Sequence, residues 1–356
     1  MSPPRILHAP FDVGGQARGL SLAERELGLI SDVVVFSPQR WGYGNDIDLR
    51  AALPVPLPLR MARRARFLAR ALDRYDVFHF NFGHTLMQVR QLGRVIDELP
   101  LLRRRGKTIL MTYQGCDART FPYCHCRNPS CIPATPYRRA AAARFLRYAD
   151  RVFYLNPDLG PLLPGARFLP YANVDPFAVE PAPPEASRDE VVVAHAPTDR
   201  VLKGTEHVIA AMASLRAEGL PVRLELHEDL TRQEVLERVA GADVVVDQLV
   251  MGWYGGFAVE AMALAKPVVC FIREEDNPFE DRLPIVRATP ATLAERIRRL
   301  VADSERRRET GLACRRFVER EHDPRRVARQ VLDGLVSLPH SPEGQPSGRV
   351  PRTVIP

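Results

Sequence analysis

Short apolar runs alternate with stretches of helical spacing along the chain. Arg5–His8, Asp32–Phe36, Val77–Phe80, Thr108–Thr112 and Arg151–Leu155 are apolar at successive positions, the pattern of strands buried on both faces. Between them Gln16–Leu27, Arg60–Tyr75, Leu86–Leu99 and Tyr137–Tyr148 bring apolar residues back at helical intervals. That order predicts βαβα units and a parallel sheet. A proline-rich stretch beginning Pro176-Phe-Ala-Val-Glu-Pro-Ala-Pro-Pro-Glu breaks the period and predicts a linker.

The alternation then restarts. Glu190–His195, Val222–His227, Asp243–Asp247 and Pro267–Ile272 read as strands; 204–218, 232–239, 259–265 and 291–302 read as helices, with further helices near 305–319 and 325–335. The chain therefore divides into a first domain over 1–175, a linker over 176–189, a second domain over 190–336 and a tail over 337–356 rich in Pro, Ser and Gly, expected to be disordered. Each half opens alike, with a strand running into His8-Ala-Pro and another into His195-Ala-Pro. Both loops then lie at the carboxyl ends of first strands, where open α/β sheets bind ligands, and two such edges facing each other form a cleft.

Composition adds a class and an asymmetry. The 356 residues are 46% hydrophobic and 26% charged, the balance of a soluble globular protein. The net charge of +7 would suit a polyanion binder if it were spread evenly. It is not: residues 1–180 hold 25 basic against 15 acidic side chains, a net +10, and residues 181–356 are at −3. Runs of basic residues interleaved with aromatics are missing, so nucleic acid is not expected as a partner. The basic helix within 60–74 reads either as a solvated face or as a contact with an anionic membrane surface. With no apolar run near the roughly 20 residues a membrane span requires, a cytoplasmic protein is expected, at most peripheral at the inner face of the membrane.

Arginine outnumbers lysine so heavily that only Lys107, Lys203 and Lys266 remain. Lys203 lies in His195-Ala-Pro-Thr-Asp-Arg-Val-Leu-Lys-Gly-Thr, where Arg200, Lys203 and the helix opened by Gly204 could converge on a diphosphate. In the first domain Asp12-Val-Gly-Gly-Gln puts Gly14 and Gly15 between strand and helix, either as a tight turn or as an anion loop. Cys116, Cys124, Cys126 and Cys131 crowd one proline-rich loop over 114–136; structural zinc, reduced thiols, disulfides and an iron–sulfur centre are all open readings of a spacing that fits no familiar zinc motif.

The segment Gly252-Trp-Tyr-Gly-Gly-Phe-Ala-Val-Glu-Ala-Met-Ala-Leu-Ala-Lys-Pro-Val-Val resembles the nucleotide-sugar signature of GT-B glycosyltransferases, in particular the retaining GT4 group, usually E-G-F-G-x-x-x-x-E-A-M-A-x-G-x-P-V. The resemblance extends over most of the chain. It implies an α/β GT-B architecture of two Rossmann-like doubly wound domains facing across a cleft. It also implies transfer of a sugar from a nucleotide-diphosphate sugar to a glycan or lipid-linked acceptor, with retention and without a catalytic metal, in surface polysaccharide or glycolipid assembly. Glu260 would bind the ribose hydroxyls, Arg200 and Lys203 the diphosphate, and the amides of Gly255, Gly256 and Phe257 the phosphate or sugar. The first glutamate of the pattern falls at Gly252, so Asp247 or Gln248 would replace its contact with the sugar, or that contact is lost. On the first domain, His79 and His84 are the histidines expected near the transferred sugar. Gln114-Gly-Cys-Asp117 is similar to the family's H-G-x-D segment, with Asp117 either binding acceptor or holding its own loop. A nucleotide-sugar epimerase of the same fold and a non-catalytic, metal-bearing scaffold are the alternatives.

Overall fold

The computed structural model describes residues 3–36, 41–49, 56–91, 94–120, 131–185 and 188–335, the side chains of 90, 91, 94 and 131–134 excepted. The first domain begins with β1 (Arg5–Ala9), α1 (Gln16–Glu26), β2 (Ile30–Val35), β3 (Ile47–Asp48), α2 (Leu57–Arg74) and β4 (Val77–Asn81). It continues with β5 (Val89–Gln91), β6 (Arg94–Ile96), α3 (Leu99–Arg104), β7 (Thr108–Tyr113), α4 (Cys131–Tyr148), β8 (Arg151–Tyr154) and β9 (Arg167–Phe168). Its parallel sheet has the order β3-β2-β1-β4-β7-β8-β9. The apolar runs become central strands because both faces are covered: Ile6, Leu7, Phe78, Phe80, Leu110 and Met111 are fully buried. Each such side chain stabilises the fold by roughly 1.5–3 kcal/mol.

The second domain contains β10 (Val191–His195), α5 (Arg200–Lys203), α6 (Thr205–Ala217), β11 (Val222–Leu226), α7 (Arg232–Ala240), β12 (Val244–Val246), α8 (Gly256–Ala263), β13 (Val268–Cys270), β14 (Val286–Arg287) and α9 (Leu293–Ala302). All strands of its sheet, ordered β11-β10-β12-β13-β14, are parallel. Strand order reverses at β1/β4 in one sheet and at β10/β12 in the other. These two switch points place the loops after β1 and β10 at ligand-binding edges.

One helix of the sequence reading is absent. The stretch 86–99 holds instead the antiparallel β5–β6 hairpin and the start of α3. The buried Glu98 carboxylate accepts from Thr85 Oγ1 (2.7 Å), Leu86 N (2.7 Å) and Met87 N (3.0 Å), which draws the segment back on itself. Pro100 then opens α3 at a position where its missing N–H costs nothing.

The ends of the second domain also tie the halves together. Helix α10 (Ser304–Glu321) packs on α8, whereas α11 (Pro324–Leu332) returns to the first domain and packs on α1. Arg325 anchors it to Glu26 (2.6 Å) and Asp175 (2.7 Å). Between these helices the buried His322 joins Tyr171 O through Nδ1 and the Tyr254 hydroxyl through Nε2, both at 2.9 Å. Among the described residues no helix is long and apolar enough to cross a membrane.

Candidate functional site

A cavity of about 260 Å³ opens between the two switch-point edges. Gly14, Trp41 and Tyr43 line it from the first domain; Pro197, Thr198, Lys203, His227, Asp229, Arg232, Phe257 and Glu260 line it from the second.

Lys203 ends α5, the short helix that Asp199 caps by accepting from Leu202 N at 2.9 Å. Its Nζ meets Asp247 Oδ1 at 2.5 Å, and the other carboxylate oxygen accepts from Gly255 N at 2.8 Å. The buried Asp247 thus fixes both the ammonium and the glycine loop that enters α8. A Cβ at Gly255 would sit 3.2 Å from Lys203 Nζ, tighter than ordinary contact. Gly256 and Phe257 line the cavity at the start of α8, where first-turn N–H groups have no intrahelical acceptor. Glu260 is one turn further, 4% exposed, and takes a hydrogen bond from Arg232 Nε at 2.5 Å. Burial raises its pKa, while Arg232 pulls it back. The arrangement offers cations, amide donors and a carboxylate along one wall, a set able to hold a phosphorylated polyol.

Other residues singled out in the sequence are placed differently. Arg200 is exposed and does not line the cavity; it is bound to Glu206 (2.8 Å) and Glu228 (2.9 Å). Gly204 has φ +73° and joins α5 to α6. Gly14 borders the cavity, but Gly15, at φ +78°, faces Tyr43, whose ring would lie 2.4 Å from any Cβ there. The amide of Ala17 in the first turn of α1 is taken by Asp12 Oδ1 at 2.9 Å, so this helix end already holds a carboxylate of its own. Burial raises Asp12 to about 6.

On the first domain His79 is fully buried, its Nε2 2.7 Å from Thr112 Oγ1 and its ring 4.8 Å from that of His8. Burial holds its pKa well below the ordinary value. His8, in turn, bonds Glu24 at 2.9 Å. His84 is half-buried against Phe11, edge to face at 5.2 Å, and burial lowers its pKa as well. Asp117 accepts from Gln114 N (3.0 Å) and Gly115 N (2.7 Å) and so holds its own loop; burial raises it to about 6. Cys116 follows in that loop, whereas Cys124, Cys126 and the side chain of Cys131 lie outside the described residues. His195 is a buried staple between Val246 O (2.8 Å) and Thr205 Oγ1 (3.0 Å). The other scarce lysine of the motif, Lys266, donates to Ala240 O at 2.7 Å and closes the end of α7.

Sequence reasoning passed over Trp41, Tyr43, His227 and Arg232. For His227 and Arg232 a signal was present: they follow a strand beside the switch point and open a helix with a Thr231–Glu234 capping box. Nothing in the sequence marked Trp41 or Tyr43.

By sequence, no protein-family model and no curated protein matches the chain. Solved structures do match by shape. Sucrose-phosphate synthase from Thermosynechococcus elongatus superposes with a TM-score of 0.63 at 19% identity, covering 92% of this chain and 97% of that one. The fold is GT-B. An alpha-glucosyltransferase in complex with UDP and a mismatched DNA 13-mer superposes with a TM-score of 0.59 at 12% identity, over 92% of this chain and 98% of that one. A chain from Listeria monocytogenes described as a UDP-N-acetylglucosamine 2-epimerase gives 0.56 at 14% identity, over 94% and 96%. The GT-B architecture accounts for the cavity: it is the crevice between two Rossmann-like domains, with the glycine loop and Glu260 on the second.

Proposed function

We propose that this chain is a metal-independent glycosyltransferase that takes a sugar from a nucleoside-diphosphate sugar and passes it to a hydroxyl acceptor. The observation that carries this reading is the Lys203–Asp247–Gly255 array beside Glu260 in the interdomain cavity. Glu260 receives the ribose hydroxyls, and Lys203 and the first amides of α8 receive the diphosphate. In the transfer the bond from anomeric carbon to phosphate oxygen breaks, a bond to the acceptor oxygen forms, and the acceptor proton passes to the departing diphosphate. Lys203 stabilises the charge that develops on that leaving group. The resemblance to retaining GT4 enzymes makes a front-side course with retention the stereochemistry of this reading.

The acceptor belongs on the first domain, and a glycan or lipid-linked acceptor of surface polysaccharide or glycolipid assembly is our reading. Helix α2 supports it: Arg60, Arg63, Arg66 and Arg70 stand exposed beside exposed Leu57 and Leu59, suited to an anionic membrane surface on the cytoplasmic side. Likeness to the chain described as an epimerase favours one second reading, in which the same pocket epimerises its nucleotide sugar without an acceptor.

A thermal-shift screen of UDP, ADP, GDP and dTDP and their sugars, on wild type and Lys203→Ala, tests the proposal. At least one diphosphate should raise the Tm of wild type, and the variant should lose about tenfold or more in affinity. No response in wild type sinks the donor site. Conversion of a bound sugar nucleotide to its epimer, with no transfer to any acceptor, selects the second reading.

A further inference from the structure

We infer that Arg232, rather than Arg200, is the cation that joins Lys203 on the donor diphosphate; this rests on the donor site proposed above. A diphosphate carries more charge than one ammonium neutralises, and Lys203 already faces the Asp247 carboxylate. Arg200 does not line the cavity, and its Nε, Nη1 and Nη2 all bond Glu206 or Glu228, so it is already committed where it stands.

Arg232 lines the same cavity as Lys203 and Glu260. Only its Nε is engaged, on Glu260; among the described residues no acceptor meets Nη1 or Nη2. The planar fork therefore presents two free amino groups beside the carboxylate assigned to the ribose, where a phosphate linked to that ribose must pass. Bidentate binding of phosphate is the task a guanidinium performs better than an ammonium.

Its position is fixed from both domains. The Arg232 backbone N–H donates to Trp41 O at 3.1 Å, and the guanidinium carbon lies 5.5 Å from the centre of the Tyr43 ring. Tyr43 in turn packs over Gly15. A hydroxyl pair arriving at Glu260 shares that carboxylate with Nε and leaves the fork aimed at the phosphate. First-domain residues thus position a second-domain cation, and donor affinity depends on both halves.

Calorimetric titration of the full chain with UDP, ADP, GDP and dTDP separates this from the alternatives, using Arg232→Gln, Arg232→Lys and Arg200→Gln. Glutamine keeps a hydrogen bond to Glu260 but no charge; lysine keeps the charge. For whichever diphosphate binds wild type, Arg232→Gln should weaken binding about tenfold or more, and Arg232→Lys, which keeps the charge but loses the fork, should recover only part of the loss. Arg200→Gln should stay within about twofold, as expected for an exposed surface pair. Wild-type affinity in Arg232→Gln, an equal fall in Gln and Lys variants, or a loss that follows Arg200 instead would each overturn the inference while leaving the donor site standing. If wild type binds none of the nucleotides, the donor site itself fails and the inference with it.

Discussion

The two edges of the cleft are built from the same plan and use their polar residues in opposite ways. On the second domain, Lys203, Arg232 and Glu260 are paired, yet each still borders open space. On the first, His79 and Asp117 are engaged within the protein, and His8, Glu24 and Ser31 form a sealed chain in which Ser31 Oγ donates to Glu24 at 2.6 Å. Even the N-terminus of α1, the counterpart of an anion-binding helix end, is filled by Asp12. Lys203 and Glu260 on one edge border the cavity, whereas His79 and Asp117 on the other are held by their own surroundings. A buried hydrogen-bonded network holds its backbone in one arrangement, although His8 Nδ1, Glu24 Oε1 and His79 Nδ1 here have no partner, whereas a charge pair at a cavity mouth can exchange partners when ligand arrives.

Substitutions can break that contrast by separating stability from affinity. The largest effect is expected at His322, which ties the glycine-loop segment through Tyr254 to the end of the first domain through Tyr171. Burial lowers its pKa from 6.5 to about 4, so it is neutral in the native state and charges more readily when unfolded. Its share of stability is present above pH 6.5 and is lost as pH falls towards 4, about 3 kcal/mol in all. Urea unfolding at steps from pH 7.5 to 4 should show that loss in wild type and a flatter profile in His322→Gln. Parallel profiles would remove His322 from the account.

Asp117→Ala comes next. It strips the Gln114 and Gly115 amides of their acceptor and should lower stability by about 2 kcal/mol with donor-nucleotide affinity unchanged. If affinity falls while unfolding is unaltered, the first edge binds ligand after all and the contrast fails.

What the sequence disclosed follows the range of the interactions. Buried strands such as Val77–Asn81 and Val191–His195 were legible because continuous apolar runs leave few alternatives. The helix read over 86–99 failed because Leu86, Val95 and Leu99 mimic a helical stripe, while the decisive contact, Glu98 folding back on 85–87, leaves no periodic trace. Lys203, Glu260 and the glycine loop were visible as a motif. Arg200 belonged to the same motif, but its partner Glu228 stands at the end of another strand, and its direction was not. The return of α11 onto α1 rests on contacts such as Arg325–Glu26, which only the folded chain brings together.

Gly15→Ala gives the smallest effect and probes where the two edges meet. Its φ of +78° costs a side chain about 1 kcal/mol, and the new Cβ would meet the Tyr43 ring at 2.4 Å, so the ring must move. Because that ring supports Arg232, diphosphate affinity should fall by about threefold along with stability, unlike the outcome at Asp117. In a Tyr43→Ala background the clash disappears and only the backbone cost remains, so adding Gly15→Ala should then change stability by about 1 kcal/mol and affinity not at all. Equal losses in both backgrounds would show that Tyr43 does not link the glycine loop to the donor pocket. Among the described residues, the first edge would then act on the donor through Val13, Gly14 and Trp41.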